Sequence, residues 1–213
     1  MPILETSFIS TSALLQTVLQ VVGTIAFAIS GSLVAGKKEM DWFGSVVLAV
    51  VVAVGGGTLR DLVMGATPVF WIKSPWYILA PTLTALIIMP WARRHIESSY
   101  NLVQIADAAG LALFTLGGTD AAIARGIDPL VAILLGMMTG ITGGVIRDVL
   151  ANEIPAVLKG DFYALAAIVG GVVYVGLLYF QLLPLLAFWT SFLIIFSLRL
   201  IAIVRKWTFP PMR

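Results

Sequence analysis

Val54–Asp61 reads VGGGTLRD, and Ile141–Asp148 reads ITGGVIRD. Each stretch sets a glycine run and then an Arg-Asp pair inside an otherwise apolar segment. Glycine weakens a helix by about 1 kcal/mol, and charge inside an apolar segment is costly. Two such stretches at matched places point to a functional arrangement.

The surrounding composition is that of a membrane protein. Of 213 residues, 60% are hydrophobic and only 11% charged, where a soluble domain carries about 25% charge. The mean hydropathy is +1.02. Seven apolar segments approach the roughly 20 residues that cross a bilayer core. They are Ala13–Gly36, Trp42–Gly65, Trp76–Trp91, Leu102–Ala124, Pro129–Ala151, Phe162–Phe180 and Leu182–Val204. The N-terminal residues lack the basic region of a signal peptide, so the first segment is read as a retained span. The expected fold is therefore an all-α integral membrane protein of seven transmembrane helices.

Eight basic residues (Lys37, Lys38, Arg93, Arg94, Lys159, Arg205, Lys206 and Arg213) fall on one side of these spans. Only Lys73 and Arg125 fall on the other, and Arg60, Arg147 and Arg199 lie within spans. The positive-inside rule then predicts an outside N-terminus and a cytoplasmic C-terminus. A net charge of +2 is accounted for by these loops and carries no implication of nucleic acid.

Shifted by 87 residues, the chain matches itself without a gap: 12 identities occur over positions 23–80. They include Gly23 on Gly110, Phe27 on Phe114, Gly31 on Gly118 and Asp41 on Asp128, besides the glycine and Arg-Asp motifs. Each copy holds three spans, an odd number, so the second copy enters the membrane from the opposite face. The predicted organisation is an inverted-topology 3+3 repeat (residues 13–91 and 102–180) with a seventh span at 182–204, all in one membrane domain. In such repeats, sites lie near the midplane at discontinuous helices.

Gly55, Gly56 and Gly57 fall about 20 Å along the second span, and Thr142, Gly143 and Gly144 lie at a like depth in the fifth. Kinks or short unwound stretches are expected there, forming a waist with carbonyls free to meet a cation. The alternative use of these glycines is close helix packing. Adjacent residues do not face each other on a helix, so Arg60 and Asp61, like Arg147 and Asp148, are expected to find partners elsewhere. Asp107 and Asp120 on the fourth span are available acids. These intramembrane charges are functional candidates, with a polar clamp as the structural reading. Asp41 and Asp128 are expected helix N-caps. Thr24, Ser30, Ser32, Thr115 and Thr119 are candidate pore-lining hydroxyls.

Several chemistries are excluded. No strand precedes GGGTLRD and no Gly-Lys-Ser/Thr follows it, so it is not a phosphate loop. His95, the single histidine, sits in the charged loop RRHIESS, and cysteine is absent. No metal-spaced cluster and no Ser-His-Asp set is present. Neither an enzyme, nor a cofactor, nor a structural metal is expected.

The paired glycine and Arg-Asp motifs, the repeat and the lone seventh span resemble the trimeric intracellular cation (TRIC) channels. The similarity is greatest to prokaryotic members, UPF0126-like membrane proteins whose repeats are also called glycine-transporter domains. It covers about residues 13–204. It implies a homotrimer with one hourglass pore per subunit, lined by spans one, two, four and five and kinked at the glycines. It implies passage of potassium, with sodium also permeating, both held transiently near the helix breaks. Membrane lipids are the remaining partners. Thr142 departs from a full triple glycine. The lysine-bearing regulatory elements of the animal channels are not evident on the fourth span, and the short C-terminal tail favours a prokaryotic plasma membrane. The alternative from a different class is a transporter of a small neutral solute such as glycine.

Overall fold

The computed structural model describes residues 13–94, 99–159 and 162–207. Among them the chain is helical, without a strand: α1 (Ala13–Lys37), α2 (Trp42–Val63), α3 (Phe70–Lys73), α4 (Trp76–Arg94), α5 (Ser99–Ile123), α6 (Pro129–Leu150), α7 (Ala164–Tyr179) and α8 (Pro184–Arg205). A short 3-10 turn occupies Ala156–Leu158. Five helices, α1, α2, α5, α6 and α8, are long and apolar enough to cross a bilayer, while α7 is apolar but has only 16 residues. The short α3 was not expected. His95 and Arg213 lie outside the described residues.

Four helices make the centre: α1 packs on α2 and α5, and α6 packs on α2 and α5. Helix α4 covers α1 and α2, α7 covers α5 and α6, and α8 leans on α5 and α7. Large apolar side chains such as Phe43, Ile87, Leu130, Leu193 and Val204 point outward. So many exposed apolar residues fit a lipid surround.

One end of the bundle gathers Lys37, Lys38, Arg93, Lys159 and Arg205 and is called the basic end below. There Arg93 donates to the Met40 carbonyl and Lys38 pairs with Glu153. Lys73 and Arg125 mark the far end.

Contacts recur at positions 87 apart. Gly23 sits against the Phe114 ring, and Gly110 against the Phe27 ring. Gly31 lies against Ala49, and Gly118 against Gly136. Gly56 abuts the Thr139 carbonyl, and Gly143 the Val52 carbonyl. Residues 23 to 27 thus run against 114 to 110, and 52 to 56 against 143 to 139. Helices α1 and α5 are antiparallel, as are α2 and α6, about a shared local two-fold.

The helix ends repeat as well. Asp41 accepts from the Gly44 amide at 2.6 Å and Asp128 from the Leu130 amide at 2.9 Å, the N-caps that the sequence predicts. After α1 and α5 the chain turns through left-handed residues at Glu39 (φ 55°) and Gly126 (φ 74°). After α2 and α6 it does so at Gly65 (φ 64°) and Asn152 (φ 57°). One member of each pair is glycine, the residue that takes this conformation without strain.

Helix α2 is helical through Gly55, Gly56 and Gly57, and α6 through Thr142, Gly143 and Gly144. The unwound stretches expected at these positions are not formed. The missing side chains serve close approach instead. A Cβ on Gly143 would stand 2.8 Å from the Val52 carbonyl oxygen, and one on Gly55 would overlap Ile146. The Thr142 hydroxyl bonds back to the Met138 carbonyl at 2.6 Å.

Candidate functional site

The centre of the two-fold core is filled by an aromatic pair. The Phe27 and Phe114 rings stack with centroids 5.2 Å apart and planes 15° apart. Each rests on the glycine of the opposite repeat, because only a glycine leaves room for a ring at that helix crossing. A polar cavity lies toward each end of the bundle, and each contains one Arg-Asp pair.

The far-end cavity measures about 440 Å³ and is bordered by Gln20, Arg60, Asp61, Lys73, Asp120 and Tyr174, among others. Arg60 and Asp61 are both buried. Contrary to the expectation from helical spacing, they bond to each other: Nε and Nη2 of Arg60 donate to Asp61 Oδ1 at 2.9 and 2.7 Å. The long arginine side chain folds back at the helix end, where the last turn leaves space. Asp61 Oδ2 accepts from the Phe70 amide at 2.8 Å, which fixes the start of α3. The Phe70 ring fits where Gly57 has no side chain, and the Arg60 guanidinium lies 5.7 Å from its centroid. Trp71 donates to the Thr58 hydroxyl at 2.9 Å. Asp120 accepts from the Tyr174 hydroxyl at 2.9 Å.

The basic-end cavity is smaller, about 140 Å³, and is bordered by Lys37, Gln104, Asp107, Arg147, Asp148, Glu153 and Arg199, among others. The motif repeats its pattern. Arg147 Nε donates to Asp148 Oδ1 at 2.9 Å, and Asp148 Oδ2 accepts from the Ala156 amide at 3.0 Å. The carboxylate thereby holds both its arginine and the turn that follows. Here the arginine has further partners. Its Nη1 reaches Asp107 Oδ1 at 2.5 Å and also donates to the Ser30 hydroxyl. Subtracting 87 places Gln20 opposite Asp107, and adding 87 places Gly117 opposite Ser30. The extra clamp is therefore confined to one end. Tyr163 lies beside it: a Cβ on Gly144 would meet the Tyr163 hydroxyl at 2.7 Å and Asp107 Oδ1 at 3.1 Å.

The candidate pore-lining hydroxyls are Thr24, Ser30, Ser32, Thr115 and Thr119. Thr24, Ser32 and Thr119 are buried and bond the carbonyls of Gln20, Ala28 and Thr115, each four residues back. Thr115 and Thr119 press on Gly140 and Gly136 of α6. None of these five hydroxyl residues borders either cavity; Ser30 alone touches a charged group. At the basic-end surface, the Lys38–Glu153 bridge of 3.0 Å ties the α1–α2 turn to the loop after α6. The hydrogen bond from Lys38 holds the Glu153 carboxyl below its ordinary range.

The helical core that carries these clamps has counterparts among known proteins. A family model described as "Glycine transporter" matches residues 17–93 and again 104–179. The solved TRIC trimeric intracellular cation channel orthologue from Rhodobacter sphaeroides superposes with a TM-score of 0.86 at 38% identity, covering 90% of this chain and 98% of that one. The chain belongs to the TRIC family. A second solved structure, a prokaryotic TRIC channel in 0.5 M KCl, gives a TM-score of 0.85 at 32% identity, with 92% and 99% coverage. Among curated relatives, the UPF0126 inner membrane protein YadS of Escherichia coli is 44% identical over 167 residues, 78% of this chain and 81% of its own. A UPF0126 membrane protein of Vibrio cholerae is 47% identical over 150 residues, 70% of this chain and 63% of its own. The TRIC-family chain is thus a multi-pass membrane protein, and the wide coverage places both Arg-Asp clamps inside the family fold.

Proposed function

We propose that this protein is a monovalent cation channel, permeable to potassium and sodium, with one conduction path in each subunit of a homotrimer. The path runs from the far-end cavity past the Phe27–Phe114 waist to the basic-end cavity. It is bounded by α1, α2, α5 and α6. The observation that carries this reading is the pair of polar cavities at opposite ends of one two-fold core, each with a buried arginine held by its own aspartate. Both arginines are neutralised within the protein. Asp120 and Glu153 border the two cavities and add carboxylate to their walls, which favours cations over anions. The stacked waist is the closed arrangement of this path. The solved relatives named as TRIC cation channels support the same class.

In the proposed topology α4 and α7 also cross the membrane, giving seven spans in an inverted 3+3 repeat (13–91 and 102–180) plus α8. The basic end faces the cytoplasm of the inner membrane. Gly55–Gly57 and Thr142–Gly144 are the hinge positions of α2 and α6, where small residues allow the two helices to slide.

Planar-bilayer recording of purified trimer under a potassium gradient tests the proposal. Discrete steps reversing near the potassium potential are expected. Saturable, gradient-coupled glycine uptake without such steps would replace the channel by a carrier.

A further inference from the structure

Helix α8 has no counterpart in the repeat, yet it carries a buried arginine. Arg199 is 4% exposed. An arginine in an apolar helix is costly, and such residues face protein or a cavity. Its guanidinium lies 4.5 Å from the centroid of the Tyr163 ring, and its Nε is buried with no hydrogen-bond partner among the described residues. It borders the same small cavity as Asp107 and Arg147.

Tyr163 is the next link. It is 2% exposed and precedes α7 as its N-terminal boundary residue. Its hydroxyl sits over Gly144, where an added Cβ would meet it at 2.7 Å and Asp107 Oδ1 at 3.1 Å, so the hydroxyl and the carboxylate share one pocket. Asp107 in turn holds Arg147, and Arg147 holds Ser30 on α1. Arg199, Tyr163, Asp107, Arg147 and Ser30 thus line up from α8 to α1 across the basic-end mouth, with Tyr163 and Asp107 meeting around Gly144. The far end is built differently: Gln20 stands for Asp107 and Trp76 for Tyr163, and Tyr77 donates to Gln20 Oε1 at 3.1 Å.

We infer that Arg199 is a positioning residue for conduction: by holding the Tyr163 ring it keeps Asp107 on Arg147 and the basic-end mouth closed. The inference rests on the channel reading for its electrical consequence, but its geometric consequence is independent. An arginine over a desolvated aromatic face biases a two-state element by roughly 5- to 30-fold in population. Releasing Arg199 shifts Arg147 toward its other partner, Asp148, and frees Ser30.

The chain has no cysteine, so Val103→Cys, at the wall of this cavity, introduces a unique thiol. Its modification rate by a membrane-impermeant thiol reagent is measured in the Val103→Cys protein and after adding Arg199→Gln, Arg199→Lys or Tyr163→Phe. Tyr163→Phe keeps the ring but removes the hydroxyl that shares the Gly144 pocket with Asp107. Arg199→Gln and Tyr163→Phe are expected to speed modification by roughly 5- to 30-fold. Arg199→Lys keeps a cation over the ring and should stay near the parent rate. Single-channel open probability should rise in the same order, with unitary current unchanged. A parent-like modification rate in both Arg199→Gln and Tyr163→Phe overturns the inference, as does an equal rise in Arg199→Lys. Absence of current in every protein, the wild type included, counts against the channel reading, and the thiol rates then decide the inference by themselves.

Discussion

Removing one ring from the waist probes the two-fold core and the conduction path together. Phe27 is 1% exposed, and its ring packs on Phe114, Gly110 and Gly143. Two of these neighbours are glycines with no side chain to collapse into the space. Phe27→Ala should therefore cost near the upper part of the usual range for a buried phenylalanine, about 3–5 kcal/mol. Phe114 is 4% exposed and rests on Gly23, so Phe114→Ala should cost about the same by the local two-fold. The rings stack at 5.2 Å, and such pairs are coupled by about 0.5–1.5 kcal/mol beyond their burial. The double variant should thus cost less than the two single costs together by that amount. Denaturant unfolding in detergent, followed by tryptophan fluorescence, measures all three. Bilayer recording of the same variants should show larger unitary currents, because the widest group at the waist is gone. Strictly additive costs with unaltered currents would refute both the stacked pair as an energetic unit and its position in the path.

Other expectations follow from named contacts. Gly56→Leu and Gly143→Leu each drive a side chain into a backbone carbonyl of the opposing helix, so each should lose about 1–3 kcal/mol of stability and most of the cation flux. Gly117→Ala is the contrast: a Cβ there meets nothing within 4 Å, so thermal melting should show a gain of about 0.5–1 kcal/mol. Asp107→Asn leaves Arg147 with Asp148 as its carboxylate and Ser30 as its hydroxyl partner, and a melting assay should register a loss at or below the roughly 3–5 kcal/mol of a broken buried pair. Glu153 has its pKa lowered by Lys38, so the bridge contributes above the ordinary 4.5 and is lost as pH falls through the depressed value. A pH titration of melting temperature should therefore show a shallow acid loss that Lys38→Gln removes, within about 1 kcal/mol for so exposed a pair.

The helical class and the repeat were legible because both rest on periodic, chain-wide signals. Apolar length marks the long helices, and Asp41 and Asp128 mark helix starts through a local rule that the structure obeys. The 87-residue register already aligned Phe27 with Phe114, but nothing in the sequence said that the two rings touch. That contact depends on the crossing of α1 and α5, a tertiary fact. The glycine motifs were read as weak points in a helix. In the folded chain the same lack of a side chain is used from outside, by Thr139, Val52, Phe70 and Tyr163. Arg60 and Asp61 were expected to look apart because backbone spacing was weighed and side-chain length was not. The threonines were read by polarity, yet a hydroxyl in an apolar helix bonds its own preceding turn when no better partner faces it.

A backbone whose halves exchange under a half turn has no preferred sense of travel. A potential applied in either direction meets the same crossing helices, the same stacked rings and the same aspartate-held arginines. Any rectification of the proposed path must then originate where the halves differ, and beside the arginines they differ in the carboxylate of Asp107 against the neutral amide of Gln20, the hydroxyl of Ser30 against Gly117, and the unpaired helix α8 with its arginine. In the proposed channel the shape of the conduit is written twice and its direction once.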